Sequence, residues 1–305
     1  MAELEADPEK WFKYYFPGDN AEPADFHKAA TRRIMQNPEW YEVRLWSREL
    51  AKSTRTMMEV LYLTLVGHPP ATKTKKYARP APLAGVIATQ EATSQPHDLQ
   101  NNRHGDSPEL IPQAAGAASN LRDRADINIP LSMGVSQSRS FSGRPGERPL
   151  KQHVLLISSS LDNAARLLIP YKANLEHNPR ITNDYGLQQN YGKWTATEFT
   201  TKQGISFRAI GADQPPRGAK NENNVRPDII LFDDIDTDSD CRNPEMINKT
   251  WKWIEEAAIS TRSISKATTI IFCGNRIAVD CCVVRACKFA DHVDEINPDY
   301  ALGLK

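Results

Sequence analysis

A lysine and a serine stand between a short apolar run and a helical pattern, in the segment 47–54 (SRELAKST). A P-loop needs a lysine for the β- and γ-phosphates and a Ser or Thr for Mg²⁺, at a helix N-terminus whose free N–H groups face the phosphates. Lys52 and Ser53 fit this requirement. Trp46 and Ala51 replace the two glycines that normally permit the strained turn. The segment is therefore either a phosphate-binding loop or an ordinary helix start.

Two aspartates end another apolar run, in the segment 228–236 (DIILFDDID). Four apolar residues followed by acid are typical of a Walker B strand, which is buried and leaves a carboxylate at its tip for Mg²⁺. Asp233 occupies that position, and Asp234 beside it is placed to orient an attacking water. Asp236 and Asp238 are further candidates. The alternative is a strand followed by an acidic, solvated loop.

Three weaker features lie before or after apolar runs of the sequence. Arg217 lies in a loop ahead of the acidic strand and offers a cation to phosphate. Gly274 and Asn275 follow a third apolar run, where a polar amide could sense hydrolysis. Phe26 and His27 precede the first apolar run, and an aromatic ring beside an imidazole could stack on and hydrogen-bond a base. Each feature alone also fits an ordinary loop, turn or helix.

The chain offers alternating strands and helices to position these side chains. Continuous apolar runs predict buried strands at 41–46, 153–159, 228–234 and 268–274, and alternation predicts another at 204–211. Helical spacing predicts helices at 25–36, after the lysine segment, at 162–177 with Asp162 as its cap, and at 246–260. Strands that alternate with helices favour a parallel sheet with helices on both faces. Ligands of such sheets bind at the carboxyl ends of the strands, where these polar residues lie.

Composition restricts the class of protein. The 305 residues are 40% hydrophobic and 25% charged, which is ordinary for a globular chain and excludes fibrous or wholly disordered ones. Lys and Arg number 38 and so do Asp and Glu, so any polyanion-binding surface is a local patch. No apolar run approaches the roughly 20 residues that span a bilayer. The five cysteines form no CxxC pair, which favours free buried thiols in a reducing cytoplasm over zinc or disulfides.

The segment 68–150 differs from the rest of the chain. It contains ten prolines and two aromatic residues, and it has no sustained apolar period. Such a segment buries too little apolar surface to offset the entropy of ordering it. We therefore predict a low-complexity, mostly disordered insertion, with 1–67 and 151–305 as the two parts of one domain.

Taken in order, these segments resemble the ATPase motor domain of large terminase subunits, the DNA-packaging motors of tailed bacteriophages. That family has a deviant P-loop, Ser-Arg-x-Leu-x-Lys-[Ser/Thr], which 47–53 (SRELAKS) matches. It also has an Arg-Gly loop followed by Arg-Pro-Asp, an apolar run and Asp-Asp, and 217–218 (RG) and 226–234 (RPDIILFDD) are similar to these. The dipeptide at 26–27 resembles the family's adenine-side motif, and 274–276 (GNR) lies where its coupling motif lies.

The resemblance implies a role for each residue. Lys52 would bind the β- and γ-phosphates, and Ser53 and Asp233 would hold Mg²⁺. Arg48 would act in cis on the γ-phosphate, and Asp234 would orient the water. The remaining nucleotide-binding residues would be Ser47, Ala51, Thr54, Arg217, Phe26 and His27, with Gly274 and Asn275 coupling hydrolysis to movement.

For the whole protein, the resemblance implies a three-layer α/β P-loop NTPase fold of the ASCE type with a mainly parallel central sheet. The implied activity is Mg²⁺-dependent ATP hydrolysis that drives double-stranded DNA into a procapsid, in the cytoplasm of an infected bacterium. The implied partners are DNA, a portal protein, a small terminase subunit and further copies of the chain in a ring, with no membrane. Because the chain ends at Lys305, we expect no nuclease domain and no DNA cleavage.

Two alternatives remain open at this point. The first is a catalytically degenerate terminase remnant that acts only by binding partners, since the P-loop lacks glycine and the nuclease domain is missing. The second is a P-loop helicase or translocase unconnected with phage, although a chain of this length has no second motor domain.

Overall fold

The apolar runs of the sequence pair as strands of one sheet. The structure, a computed structural model, describes residues 1–18, 22–68, 150–212, 214–216, 220–221 and 223–297. Within them the strands are β1 (Trp40–Trp46), β2 (His153–Ser158), β3 (Glu198–Thr200), β4 (Ser206–Gly211), β5 (Ile229–Asp233), β6 (Thr269–Cys273) and β7 (His292–Ile296). All five predicted strands are confirmed, and β3 and β7 were not predicted.

The strand order is β3-β4-β2-β5-β6-β1-β7. All neighbouring strands are parallel except β3, which runs antiparallel to β4 at the edge of the sheet. The carboxyl ends of β1, β5 and β6 therefore meet at one edge. Cys273 on β6 lies level with Arg44 on one side and Asp233 on the other, so β6 separates the other two strands.

Helices cover both faces of the sheet. They are α1 (Ala2–Ala6), α2 (Pro8–Tyr15), α3 (Asp25–Gln36), α4 (Lys52–Leu65), α5 (Leu161–His177), α6 (Pro179–Tyr185), α7 (Pro244–Trp253) and α8 (Cys282–Ala286). Successive strand residues point to opposite faces, so each strand contributes to two apolar cores. One core joins α2, α4, α5 and α6 to residues such as Leu156 and Leu231, and the other joins α7 and α8 to Leu155 and Phe232. The architecture is a three-layer α/β fold with a mostly parallel sheet.

Two predicted helices differ from the observed ones at their ends. Helix α5 begins at Leu161, and its cap is Ser160, whose Oγ accepts from the Asn163 N–H at 3.2 Å. The prediction of Asp162 as the cap was therefore wrong, because the serine one residue outside the helix reaches the free N–H. The predicted helix 246–260 is α7 followed by a π-helical turn, Ile254–Ala258, and a 3₁₀ turn.

Several elements carried too weak a signal for prediction from the sequence. Helix α2 begins at a proline and is capped by Asp7, and three of its four aromatic side chains are buried in the core, whereas Tyr14 is exposed. Strand β7 is only partly buried and three of its five residues are polar, so it lacks the apolar run that identified β5 and β6.

Three further sequence predictions concern the insertion, the cysteines and membrane-spanning segments. The predicted insertion at 68–150 lies outside the described residues apart from His68 and Leu150. All five cysteines are free, and Cys273, Cys281 and Cys282 are buried, whereas Cys241 and Cys287 are partly exposed. In the described part of the chain, no helix is both long enough and apolar enough to cross a bilayer.

Candidate functional site

The loop between β1 and α4 is held in a strained conformation. The Ser47 N–H and Oγ–H both donate to the Ile296 carbonyl of β7, at 3.0 and 3.2 Å. Glu49 and Ala51 have positive φ angles of 70° and 53°, and Ala51 is the N-terminal cap residue of α4. Non-glycine residues seldom adopt this left-handed conformation, which costs about 1–2 kcal/mol, and strained residues cluster at functional sites. Ala51 thus adopts the conformation that a P-loop glycine would supply.

The structure brings Lys52 and Ser53 to the two aspartates. Lys52 Nζ donates to the Gly274 carbonyl at 3.3 Å and lies 3.8 Å from Asp234 Oδ1. Ser53 Oγ donates to Asp233 Oδ2 at 3.0 Å. Both residues belong to the first turn of α4, whose N–H groups have no partners within the helix. A cation, a hydroxyl, two carboxylates and a helix N-terminus therefore meet at the carboxyl edge of the sheet.

Asp233 is buried at the end of β5. Its Oδ1 atom has no hydrogen-bond partner among the described residues. Burial and, to a smaller extent, the neighbouring Asp234 raise the pKa of Asp233 to about 6, although Lys52 and Ser53 act in the opposite direction. The charge of this buried carboxylate is therefore only partly compensated, and binding a cation would compensate it further.

Arg48 and Asp234 line a polar cleft of about 260 Å³ in front of this group, together with Gly274 and Asn275. Both charged side chains are exposed. Asp234 also has a positive φ angle, 43°, and its N–H donates to the Cys273 carbonyl at 3.1 Å. The conformation turns the chain away from β5 directly after Asp233.

Gly274 lies close to α8, so a side chain at this position would require the Val283 side chain to shift by a few tenths of an ångström. Its N–H donates to the Arg44 carbonyl at 3.2 Å, which holds the end of β6 against β1. A Cβ atom at this position would lie 3.1 Å from the Val283 side chain of α8. The close approach leaves the Gly274 carbonyl to accept from Lys52.

Asp236, which the sequence singled out as a candidate, lines the same cleft as Arg48, but its carboxylate is already bonded to α8. Its carboxylate accepts from the N–H groups of Cys282 and Val283, each at 2.8 Å, at the start of α8. This contact joins the loop after β5 to α8 and gives Asp236 a structural role. Asp238 lines the same cleft as Arg48.

Phe26 and His27 lie against the strained loop. The Phe26 ring is buried in a small cluster with Trp46 and Ile296, so it packs the start of α3 onto the ends of β1 and β7. His27 Nε2 is 2.9 Å from the Leu50 carbonyl in the loop itself. The predicted contact of these two residues with a base stays a prediction.

A cavity of about 460 Å³ next to the loop involves α2, a helix that the sequence analysis did not predict. Ala51, Thr54 and His27 line one side, and Phe12 and Phe16 from the end of α2 line another. The one feature of the sequence that could have indicated a buried helix here is the density of aromatic residues at 11–16 (WFKYYF). Arg217 lies outside the described residues, so its predicted place near phosphate stays a prediction.

The sequence analysis also did not predict a network of buried charges beneath the site. Arg44, in the middle of β1, pairs with Glu42 at 2.9 Å and with Glu59 of α4 at 2.8 Å, and all three side chains are fully buried. Arg44 also donates to Thr56 of α4 at 2.8 Å. The network fixes α4, and with it the first turn that carries Lys52, to the strand before the loop.

Comparison with known proteins does not assign the chain to a family. No family model matches the sequence, and no curated protein is significantly similar to it. Within the described residues, no group of three or more His, Cys, Asp or Glu side chains is arranged to hold a metal ion by itself. A metal at this site would therefore need ligands from a bound molecule or from water in addition to Ser53 and Asp233.

Proposed function

We propose that the chain is a Mg²⁺-dependent ATPase with a P-loop NTPase fold of the ASCE type. The observation that carries the proposal is the meeting of Lys52 and Ser53 on the first turn of α4 with Asp233 and Asp234 at the tip of β5. The two pairs are about 180 residues apart in sequence, and their side-chain types are those that hold a nucleoside triphosphate and its metal.

Ser53 and Asp233 fit Mg²⁺, which prefers oxygen ligands and retains waters and substrate phosphates in its coordination sphere. The hydroxyl and the carboxylate already adjoin each other at 3.0 Å, and Asp233 Oδ1 is buried without a described partner. When bound, Mg²⁺ neutralises charge that develops on the phosphate oxygens.

The remaining residues act by position and charge. Lys52 binds the β- and γ-phosphates, and the free N–H groups of the first turn of α4 face them. Asp234 orients a water whose oxygen attacks the γ-phosphorus, while the bond from that phosphorus to the oxygen of the β-phosphate breaks. ADP and phosphate are the products, and the proton of the water passes to phosphate and solvent. Arg48 stabilises the negative charge during transfer, since its side chain lines the same cleft as Asp234.

The cavity of about 460 Å³ is the place for the base and ribose. It borders the loop at Ala51 and Thr54, and its aromatic and apolar wall comes from Phe12, Phe16 and Met58. Its volume lies in the range of small-molecule pockets.

We infer further that hydrolysis moves double-stranded DNA, as in the motor of a terminase large subunit. The support is the resemblance of the ordered motifs, together with the side-chain grouping described above. The partners would then be DNA, a portal protein, a small terminase subunit and other copies of the chain, in the cytoplasm of an infected bacterium. Contacts to the DNA backbone would make DNA-stimulated ATP turnover fall steeply with salt.

Phosphate release from ATP tests the proposal. We expect Mg²⁺-dependent turnover by the wild type and a loss of at least 100-fold in Lys52→Ala and in Asp233→Asn, because each removes a charge that holds the triphosphate or its metal. Lys252→Ala is the matched control, since this lysine is exposed on α7.

Equal turnover in the wild type and in Lys52→Ala would refute the P-loop assignment. Tight, Mg²⁺-dependent binding of a non-hydrolysable ATP analogue without any turnover would favour the binding-only alternative. Stimulation of turnover by duplex DNA tests the motor function separately.

A further inference from the structure

Both nitrogens of the His27 ring are bonded, and the partners determine its tautomer. The backbone N–H of Ala24 can only donate, and it lies 3.1 Å from Nδ1, so Nδ1 accepts. The proton of the neutral ring is therefore on Nε2, which donates to the Leu50 carbonyl at 2.9 Å. Burial lowers the pKa of His27, in agreement with a neutral ring.

The Leu50 carbonyl belongs to the strained part of the loop. It lies between Glu49 and Ala51, both of which have positive φ angles although neither is a glycine. The Leu50 N–H donates to the Ser47 carbonyl at 3.4 Å. The His27 bond is the contact that ties this peptide to a different element, α3.

The His27 ring is itself held in place by its neighbours. The Trp46 ring meets it edge-on with 5.2 Å between centroids, and the Phe26 ring is 4.0 Å away. Trp46 is fully buried at the end of β1 and occupies the place of the first P-loop glycine. The imidazole is therefore a rigid donor with a defined direction.

We propose that His27 is a positioning residue that holds the glycine-less loop in its phosphate-binding conformation. Its bond to Leu50 replaces the conformational freedom of glycine with an external restraint, which keeps Ala51 left-handed and directs the first N–H groups of α4 outward. The His27 ring borders the cavity assigned to the base, but both of its nitrogens are bonded to Ala24 and Leu50. His27 then acts on the phosphates through the loop and makes no hydrogen bond to the base. The part of the inference that concerns phosphate rests on the proposed function, whereas the restraint on the loop does not.

Two substitutions separate the functions of the two ring nitrogens. His27→Gln places an amide N–H donor near the position of Nε2, and His27→Asn retains an acceptor near the position of Nδ1 but has no donor that reaches Leu50. His177→Gln is the control, because His177 is exposed at the end of α5. Calorimetry would measure the binding of ATP and of inorganic tripolyphosphate, each with Mg²⁺, to the wild type and the three variants.

We expect His27→Asn to weaken both ligands by the same factor, about five- to tenfold, the size expected for one lost hydrogen bond. His27→Gln should bind both within about twofold of the wild type. Loss of ATP affinity alone, with tripolyphosphate unaffected, would show a base contact and overturn the proposal. Unchanged affinities in all variants would overturn it too.

Measurements on the ligand-free protein separate this inference from the proposed function. Amide exchange of the loop and of Lys52 and Ser53 should be faster in His27→Asn than in the wild type or His27→Gln, with the amides of β2 unchanged as a check of folding. Nitrogen NMR of the wild-type imidazole should find the proton on Nε2, and a proton on Nδ1 would overturn the inference without any variant. If the wild type bound neither ligand, the proposed function would fail and these two measurements would still decide the role of His27.

Discussion

Replacing Asp233 with asparagine should stabilise the protein while it abolishes ATP turnover. Burial of the carboxylate raises the pKa of Asp233 from its ordinary value of 3.8 to about 6. A pKa difference of this size corresponds to about 3 kcal/mol, which is the cost of keeping the buried group charged. Asparagine has nearly the same shape, its oxygen can accept from Ser53, and it carries no charge.

The direction of the stability difference between the two proteins, and the pH range over which it develops, follow from the same pKa values. The folded state binds the proton of Asp233 more tightly than the unfolded state, so the wild type is destabilised as the pH rises from about 4 through 6. We therefore expect the Asp233→Asn variant to be up to about 3 kcal/mol more stable at pH 8. At pH 4 the difference should be less than about 1 kcal/mol, because both proteins then carry a neutral group.

Urea unfolding without Mg²⁺, at several pH values between 4 and 8, measures this difference from the transition midpoints and slopes. Comparison of the two proteins at each pH cancels the titration of all other groups. An asparagine variant that is less stable at pH 8, or a difference that does not change with pH, would refute the reasoning. The partly compensated charge of Asp233 that destabilises the fold is the same charge that would bind a metal.

Three other predictions concern the loop, the buried charges and the response to acid. Ala51→Gly should raise the free energy of unfolding by up to about 1 kcal/mol, because relief of the left-handed strain exceeds the extra unfolded-state entropy of glycine. Urea unfolding measures this change, and a loss of stability would contradict the prediction. Glu59→Gln should cost about 3 kcal/mol by leaving the buried Arg44 undercompensated, whereas Glu256→Gln on the surface should change stability by less than about 0.5 kcal/mol. Burial lowers the pKa of His153 to about 4, so stability should fall as the pH drops from 6.5 to 4, and His153→Gln should flatten this dependence in acid titrations followed by circular dichroism.

The amino-acid sequence was enough to predict the strands that carry the site. Strands β5 and β6 are buried on both faces, so they must be apolar throughout, and an acid or a glycine after such a run can only lie at its tip. The same logic located the strand, loop and helix around Lys52, since the change from an apolar run to helical spacing is a local signal. The types of the chemical groups and their positions at the ends of elements were therefore predictable.

Which strand ends lie next to each other could be learned only from the folded chain. Strand order depends on how the helices pack, and no local pattern states that β6 lies between β1 and β5, which is what brings the Gly274 carbonyl to Lys52. Strand β7 was not predicted because only one of its five residues, Ile296, is buried, although the strand anchors Ser47. Two further roles depend on contacts between distant segments. Asp236 caps α8, and His27 restrains Leu50. Covalent neighbours fix the local conformation of a chain, but a hydrogen bond between segments exists only after packing has brought them together.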